Sequence, residues 1–217
     1  MAKVLVIGAT GGIGFQLCQQ LIEQGHSVVG LHRLPEQADV LLEKGITPAL
    51  GDLTTIPMVD LSAMMAEVDV VIFSAGAGGG STARTDAIDG EGLVKAVRAA
   101  MLVGARRFLL VSAFPDAGRG KNMSDDFEHY MAVKRKADVY LAATNLDWVI
   151  LRPGTLSDAP GTGRVRAGLA IPYGDVPRAD VARVLCSLVD MPKVNRVIIE
   201  LTAGDTPVAD AISKLVR

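Results

Sequence analysis

Short apolar runs alternate along the chain with longer segments in which apolar residues recur at helical spacing. Each run is short enough for one buried strand, and the segments between the runs are typical of amphipathic helices. The pattern predicts strands at residues 3–7, 27–32, 46–50, 69–74, 107–112, 147–151, 165–171 and 196–201. It predicts helices at residues 13–24, 35–44, 56–68 and 86–103, and one at 177–189 that Asp175 would cap. It also predicts a helix that Asp125 and Glu128 would cap and a last one capped by Asp205 or Thr206.

Strands that alternate with helices predict a parallel sheet whose right-handed crossover helices cover it. The expected class is therefore α/β, a doubly wound parallel sheet whose strand order begins 3-2-1-4-5-6. A length of 217 residues suits a single domain over residues 1–217. Residues 153–217 are less regular, and we expect them to form a small C-terminal extension on the substrate side.

A glycine-rich turn, Gly8-Ala9-Thr10-Gly11-Gly12-Ile13-Gly14, joins the first strand to the first helix. This order of strand, glycine turn and helix is the context of a dinucleotide site. Gly8 would permit the tight turn, Gly11 would let backbone N–H groups approach a pyrophosphate, and Gly14 would let the helix pack on the strand. The alternative is a tight turn without a ligand. The candidate cofactor-binding residues of the turn are Gly8, Thr10, Gly11, Gly12, Ile13 and Gly14.

Arg33 follows the second predicted strand, about 20 residues beyond the glycines. At this position an aspartate or glutamate would bind the ribose 2′-hydroxyl of NAD. No acid stands there, and an arginine can pair with a 2′-phosphate through charge-assisted, often bidentate hydrogen bonds. The sequence therefore favours NADP over NAD, the alternative being that Arg33 is an ordinary exposed loop residue.

Two further segments begin where predicted strands end, at the edge where open α/β sheets bind ligands. Asp52 follows the third strand, and its carboxylate could accept a hydrogen bond from an adenine amino group or could instead serve a turn or a helix cap. The fourth strand opens into a glycine-rich loop at residues 75–82. That loop would contact the cofactor and become ordered on binding, or else it is a plain flexible surface loop.

A serine, a tyrosine and a lysine could carry proton transfer. Ser112 ends the fifth strand, and Tyr130 and Lys134 stand four residues apart on one face of the next helix. A tyrosine needs roughly 4 kcal/mol to titrate near pH 7, and a lysine charge about 6 Å away supplies roughly 3 kcal/mol of it. Ser112 would hydrogen-bond the substrate oxygen. The alternative is a packed tyrosine beside a solvated lysine, because helices contain many such spacings.

Composition and charge argue against several classes of protein. A net charge of −2 without a basic stripe argues against nucleic acid, and the basic run at 134–136 is expected on a solvated helix face. No apolar run is long enough for a membrane span or a signal peptide, so a cytoplasmic location is expected. Cys18 and Cys186 suggest reduced thiols without metal-ligand spacing. We interpret His26 and His32 as surface groups.

Together these residues resemble the short-chain dehydrogenase/reductase superfamily, and more closely its atypical branch of NAD(P)-binding, NAD-dependent epimerase/dehydratase-like proteins. The resemblance covers essentially the whole chain and implies a Rossmann-like fold. Besides the glycine turn and Arg33, it rests on Gly51-Asp52-Leu53, Val111-Ser112, Tyr130 with Lys134, Leu151-Arg152-Pro153-Gly154 and Arg178-Ala179-Asp180-Val181-Ala182.

The resemblance implies roles for these residues. The arginine after the second strand would bind the NADP phosphate, and Asp52 and Leu53 would flank the adenine. Tyr130 would be the proton donor with Ser112 as its partner. Lys134 would bind the nicotinamide ribose and lower the pKa of Tyr130. Near the nicotinamide and its ribose would lie Ser74, Ala75, Gly76 and the loop Pro153-Gly154-Thr155.

Two departures argue against an epimerase. Asp89 stands where the superfamily has a structural asparagine, and the C-terminal region is short for a sugar-nucleotide epimerase. The favoured function is an NADP-dependent oxidoreductase that transfers hydride to a small carbonyl, quinone or flavin substrate. The alternatives are a non-enzymatic NADP(H)-binding redox sensor and an NAD(P)-dependent epimerase or dehydratase. Neither the substrate nor the oligomeric state, monomer or homodimer, follows from the sequence.

Overall fold

The apolar runs form strands. The computed structural model of the protein describes residues 1–216, and every strand that the pattern predicts is present, together with three short ones that it did not indicate, β7, β9 and β11. In chain order the strands are β1 (Lys3–Ile7), β2 (Ser27–His32), β3 (Thr47–Leu50), β4 (Val70–Phe73), β5 (Arg107–Val111), β6 (Asp147–Pro153), β7 (Thr155–Ser157), β8 (Arg164–Gly168), β9 (Asp175–Pro177), β10 (Val197–Ala203) and β11 (Thr206–Pro207).

The main sheet has nine strands in the order β3-β2-β1-β4-β5-β6-β10-β8-β11. Its first six strands have the predicted order, which confirms a doubly wound, Rossmann-like α/β fold. The seven neighbouring strands β3, β2, β1, β4, β5, β6 and β10 run parallel to one another. Strand β8 pairs antiparallel with both β10 and β11. The predicted parallel sheet is therefore confirmed over these seven strands, and the structure adds an antiparallel strand at this edge, which is common in such folds. Strands β7 and β9 form a separate two-stranded sheet.

Helices connect the parallel strands. They are α1 (Gly14–Glu23), α2 (Gln37–Leu42), α3 (Met58–Met65), α4 (Thr82–Thr85), α5 (Leu93–Leu102), α6 (Asp125–Ala142), α7 (Arg178–Asp190) and α8 (Val208–Ser213). Between α4 and α5 the segment Asp86–Gly92 is π-helical, where the pattern predicted one α-helix over 86–103. Such segments occur often at functional sites, and this one buries Asp89.

Two apolar cores lie on opposite faces of the sheet. Side chains of α1, α2, α7 and α8 belong to one core, and side chains of α3, α5 and α6 belong to the other. Strand β1 contributes to both, because Val4 and Val6 point into the first core while Leu5 and Ile7 point into the second. Burial on both faces explains why the central strands are continuous apolar runs. Because helices cover both faces of the sheet, a ligand has to bind at the ends of the strands, and in open α/β sheets it binds at their carboxyl ends.

Helix starts differ in detail from the prediction. The N-cap of α6 is Ser124, whose hydroxyl accepts a hydrogen bond from the Phe127 amide, so Asp125 lies inside the helix. Asp175 and Thr206 belong to the short strands β9 and β11, and prolines immediately precede α7 and α8. The proline ring fixes φ at −62° in Pro177 and −52° in Pro207, and neither helix has a side-chain cap hydrogen bond.

Two polar residues expected at the surface are buried. His26 is 6% exposed and accepts a hydrogen bond from the Ala2 amide, and His32 is 4% exposed at the end of β2. The cysteines are free and fully buried, and burial raises the pKa of each thiol to about 12, so neither is reactive near neutral pH. Within residues 1–216 no helix combines the length and apolarity that a membrane crossing needs. No cluster of potential metal ligands occurs in the same range.

Candidate active site

A cleft of about 540 Å³ crosses the carboxyl ends of β1, β2, β4 and β5, a volume that suits a small molecule or cofactor. It lies where the strand order reverses between β1 and β4, the place where open α/β sheets bind ligands. Most of the predicted site residues line it, namely Gly8, Thr10, Gly11, Gly12, Ile13, Arg33, Asp52, Leu53, Ser74, Ala75, Gly76, Ser112, Tyr130 and Lys134.

Four predicted residues do not line the cleft, namely Gly14 and the three residues of the loop Pro153-Gly154-Thr155. Pro153 is buried at the end of β6, where its carbonyl accepts a hydrogen bond from the Phe114 amide at 3.2 Å. Leu156, three residues further on, lines the cleft instead. Gly14 lies behind the glycine turn, where α1 packs against β1.

The glycine turn has the geometry that a dinucleotide cradle needs. Gly8 has φ +89°, and a Cβ there would lie 2.7 Å from the Ala75 nitrogen. A Cβ on Gly14 would lie 2.0 Å from the carbonyl oxygen of Gly8. Both positions therefore exclude any side chain, as the sequence pattern predicted. The Phe15 amide of α1 already donates to the Gly11 carbonyl at 2.9 Å, so the N–H groups that could meet a phosphate are those of Gly12 and Ile13, just before the helix, which line the cleft.

We expect Gly14→Ala to lower the free energy of unfolding by about 1–3 kcal/mol, because the new methyl group must displace backbone. Cofactor affinity should fall with it, since the same displacement moves the turn. The matched control is Gly174→Ala, whose Cβ would meet only Thr202 at 3.6 Å. Chemical denaturation of the two variants checks the prediction, and equal stability of both would contradict it.

Three charged residues meet at the end of the cleft near β2 and β3. Asp52 Oδ1 accepts hydrogen bonds from the Thr54 amide at 2.8 Å and the Thr54 hydroxyl at 2.7 Å, so the turn role left open by the sequence is present. These bonds, followed by the charges of Arg33 and Arg84, hold the pKa of Asp52 below its usual value. Arg33 is exposed at the rim. Two guanidinium groups thus lie at the end where a 2′-phosphate would be expected.

At the opposite end Lys134 is buried, contrary to the prediction of a solvated basic run. Its Nζ donates to the Val111 carbonyl at 2.9 Å and to Asp89 Oδ1 at 3.3 Å. Asp89 is 1% exposed, and its other oxygen accepts from the Ala77 amide at 2.9 Å. The π-helical segment places this carboxylate between the lysine and the glycine-rich loop. Asp89 therefore holds two parts of the cleft wall together.

Tyr130 lines the cleft one helical turn before Lys134 on α6. Burial raises the pKa of its hydroxyl, the positive charge of Lys134 lowers it, and the carboxylates of Asp89 and Asp138 raise it. Lys134 acts in the predicted direction, but burial outweighs it, so the pKa of Tyr130 lies above its ordinary value. The hydroxyl is therefore protonated near neutral pH, and the net downward shift of its pKa that was expected from Lys134 is not present.

The hydroxyl of Ser112 is buried without a hydrogen-bond partner. It lies close enough to Asp138 to lower the pKa of that carboxyl, although burial raises the pKa more and the net shift is upward. Arg152 donates to Asp138 Oδ2 at 2.9 Å, and Oδ1 has no partner. A buried hydroxyl with unused hydrogen-bonding capacity beside a cleft is suited to a substrate oxygen.

The sequence pattern gave no role to two arginines that line the cleft, Arg84 and Arg178. Arg84 follows the glycine-rich loop, and Arg178 begins α7 far along the chain. Neither position carries a local signal for a cofactor contact, because each reaches the cleft only through the packing of its helix.

Known proteins are similar to this chain over nearly its whole length. A family model described as NAD(P)H-binding matches residues 8–192. The chain is 35% identical over 215 residues to the "Uncharacterized sugar epimerase YhfK" of Bacillus subtilis. The alignment covers 98% of this chain and 100% of that relative.

Solved structures agree with the fold. A Bacillus halodurans protein named as a candidate NAD-dependent epimerase/dehydratase has a TM-score of 0.90 at 32% identity and covers 99% of this chain and 100% of its own. ChuY, an anaerobillin reductase from Escherichia coli O157:H7, has a TM-score of 0.78 at 25% identity. The match covers 94% of this chain and 98% of ChuY. The chain therefore belongs to the NAD(P)H-binding family of atypical short-chain dehydrogenase/reductase-like proteins.

Proposed function

We propose that the protein is an NADP-dependent oxidoreductase that reduces a small carbonyl, quinone or flavin substrate. The observation that carries the proposal is one continuous cleft with guanidinium groups at one end and Ser112, Tyr130 and Lys134 at the other. ChuY, a structural neighbour, is named as a reductase, which supports the same class of reaction.

The residues of the cleft fit an NADP molecule. A cradle from which Gly8 and Gly14 exclude every side chain would hold the pyrophosphate against the start of α1. Arg33 would pair with the 2′-phosphate, and the neighbouring charge of Arg84 strengthens the attraction for an anion. Leu53 and Asp52 would lie beside the adenine.

The catalytic end favours reduction of a polarised oxygen. When bound, the reduced nicotinamide supplies the hydride that no side chain can donate. The protonated Tyr130 hydroxyl gives its proton to the substrate oxygen as negative charge develops there. Ser112 would donate a hydrogen bond to the same oxygen, turning its hydroxyl from the neighbouring Asp138 carboxyl toward the substrate. Lys134 then stabilises the tyrosinate left behind.

Consumption of NADPH across a panel of aldehydes, ketones, quinones and free flavins tests the proposal. Turnover with at least one of these classes is the expected result, with NADH a poorer cofactor. Tight NADPH binding without turnover of any compound would overturn the proposed activity and favour the sensor. One observation favours the sensor. Lys134 Nζ already donates hydrogen bonds to Asp89 and to the Val111 carbonyl, which leaves it less available to a tyrosinate or a cofactor ribose.

We expect Arg33→Ala to weaken NADPH binding about tenfold or more and to leave NADH binding nearly unchanged, because only NADPH carries the 2′-phosphate. Dissociation constants for both cofactors, measured by calorimetry, check this. Arg119→Ala is a suitable control, because that exposed arginine pairs with Asp116 and does not line the cleft. Parallel losses for the two cofactors would place the phosphate site elsewhere.

A further inference from the structure

Arg178 reaches from the C-terminal extension to the glycine turn. A Cβ on Gly12 would lie 2.9 Å from Arg178 Cδ and 3.3 Å from Nε, so the stem of the arginine crosses directly over this glycine. Arg178 lines the same cleft as Thr10, Gly11 and Gly12. The carbonyl of the next residue, Ala179, accepts a hydrogen bond from Gln20 on α1 at 3.3 Å, which keeps the start of α7 beside α1.

The present partner of Arg178 is a weakly held carboxylate. Arg178 Nη1 donates to Asp158 Oδ1 at 2.7 Å, but the Asp158 side chain is 89% exposed. Exposed pairs of this kind contribute little, about 0–1 kcal/mol, because water and salt screen them. The pair can therefore open at little cost.

The loop that carries Asp158 is fixed by a different contact. Asp180, on α7, is fully buried, and its carboxylate accepts hydrogen bonds from the Thr162 amide at 2.9 Å and the Gly163 amide at 2.8 Å. Loss of the Arg178–Asp158 pair would leave these bonds intact. The exposed pair thus contributes little to holding the loop, and Arg178 is free to exchange its partner.

We propose that Arg178 is a further cofactor-binding residue, which exchanges Asp158 for the pyrophosphate of the dinucleotide bound at the glycine turn. A guanidinium forms bidentate, charge-assisted bonds with phosphate oxygens that are stronger than an exposed ion pair. Asp158 competes with the cofactor for the same cation. The inference rests on the proposed function, since it requires a dinucleotide in the cleft.

The competition predicts opposite effects for the two partners. Arg178→Ala should weaken NADPH and NADP⁺ binding alike by about tenfold or more, because a charged hydrogen bond is lost. Asp158→Ala should tighten both by up to about fivefold, because the arginine no longer has to leave a carboxylate. A purely structural role of the pair would weaken binding in both variants.

The test measures dissociation constants of NADPH and NADP⁺ for the full chain by calorimetry, with thermal melts to show that each variant is folded. Lys3→Ala and Glu67→Ala are matched controls, because they make the same charge changes in an exposed pair at the opposite edge of the sheet. Neither control should change affinity by more than about twofold. Unchanged affinity in Arg178→Ala, or weaker affinity in Asp158→Ala, would overturn the inference.

A fragment separates this inference from the proposed function. Adenosine 2′-phosphate lacks the pyrophosphate, so its binding, followed by NMR titration, should respond to Arg33→Ala and not to Arg178→Ala. Failure of the wild-type protein to bind NADPH or NADP⁺ would overturn the proposed function itself. Normal wild-type binding that is insensitive to Arg178 would overturn only the role of that arginine.

Discussion

Lys134→Met is expected to lower the free energy of unfolding by about 3–5 kcal/mol, the usual cost of breaking a buried ion pair. The side chains of Lys134 and Asp89 are 5% and 1% exposed, so water cannot replace the lost partner. Methionine keeps most of the apolar volume of the lysine stem. The decrease in the free energy of unfolding therefore measures the loss of the positive charge rather than a loss of packing. Urea denaturation measures the effect.

The ion-pair interpretation has two internal checks. Lys136→Met makes the same substitution at an exposed position of α6 and should change stability by no more than about 0.5 kcal/mol. The double variant Asp89→Asn/Lys134→Met removes both charges and should recover most of the loss, because no uncompensated carboxylate remains. If Lys134→Met were as stable as the wild-type protein, the pair would not be a structural element of the cleft.

Tyr130→Phe is expected to lower kcat by about 10²- to 10⁴-fold, the usual contribution of a positioned acid. The NADPH dissociation constant and the thermal melt should change little, since the ring and its contact with Phe127 remain. The matched control is Tyr140→Phe, at the other end of α6, whose hydroxyl accepts a hydrogen bond from Arg98. Full activity in Tyr130→Phe would favour hydride transfer to a flavin or quinone that needs no acid from the protein.

The protonation state of Tyr130 can be read directly. The difference in tyrosinate absorbance between wild-type protein and Tyr130→Phe gives the titration of this hydroxyl alone. Its midpoint should lie above about pH 10, because burial raises the pKa. Asp89→Asn should lower that midpoint, since the Asp89 charge acts against the tyrosinate. If the proposed reductase uses this hydroxyl as its acid, its activity should fall only in strongly alkaline solution.

Local patterns were sufficient for the framework of the fold. Buried strands have to be apolar throughout, so β1, β4 and β5 were visible as runs. Their order followed from general rules for crossover connections. The short strands β7 and β9 were missed, because three residues carry no detectable period. The antiparallel pairing of β8 depends on contacts across the sheet and not on its own composition.

The amino-acid sequence by itself determined the glycine turn, because Gly8 readily adopts a positive φ and neither Gly8 nor Gly14 carries a side chain that would block the close approach of backbone. It also placed a tyrosine and a lysine on one helix face. Only the tertiary structure decided what surrounds them. Lys134 meets Asp89 across a sequence separation of 45 residues, and Arg178 reaches Gly12 from the last third of the chain. Burial and pairing set charge and pKa here, and both exist only once distant segments have packed together.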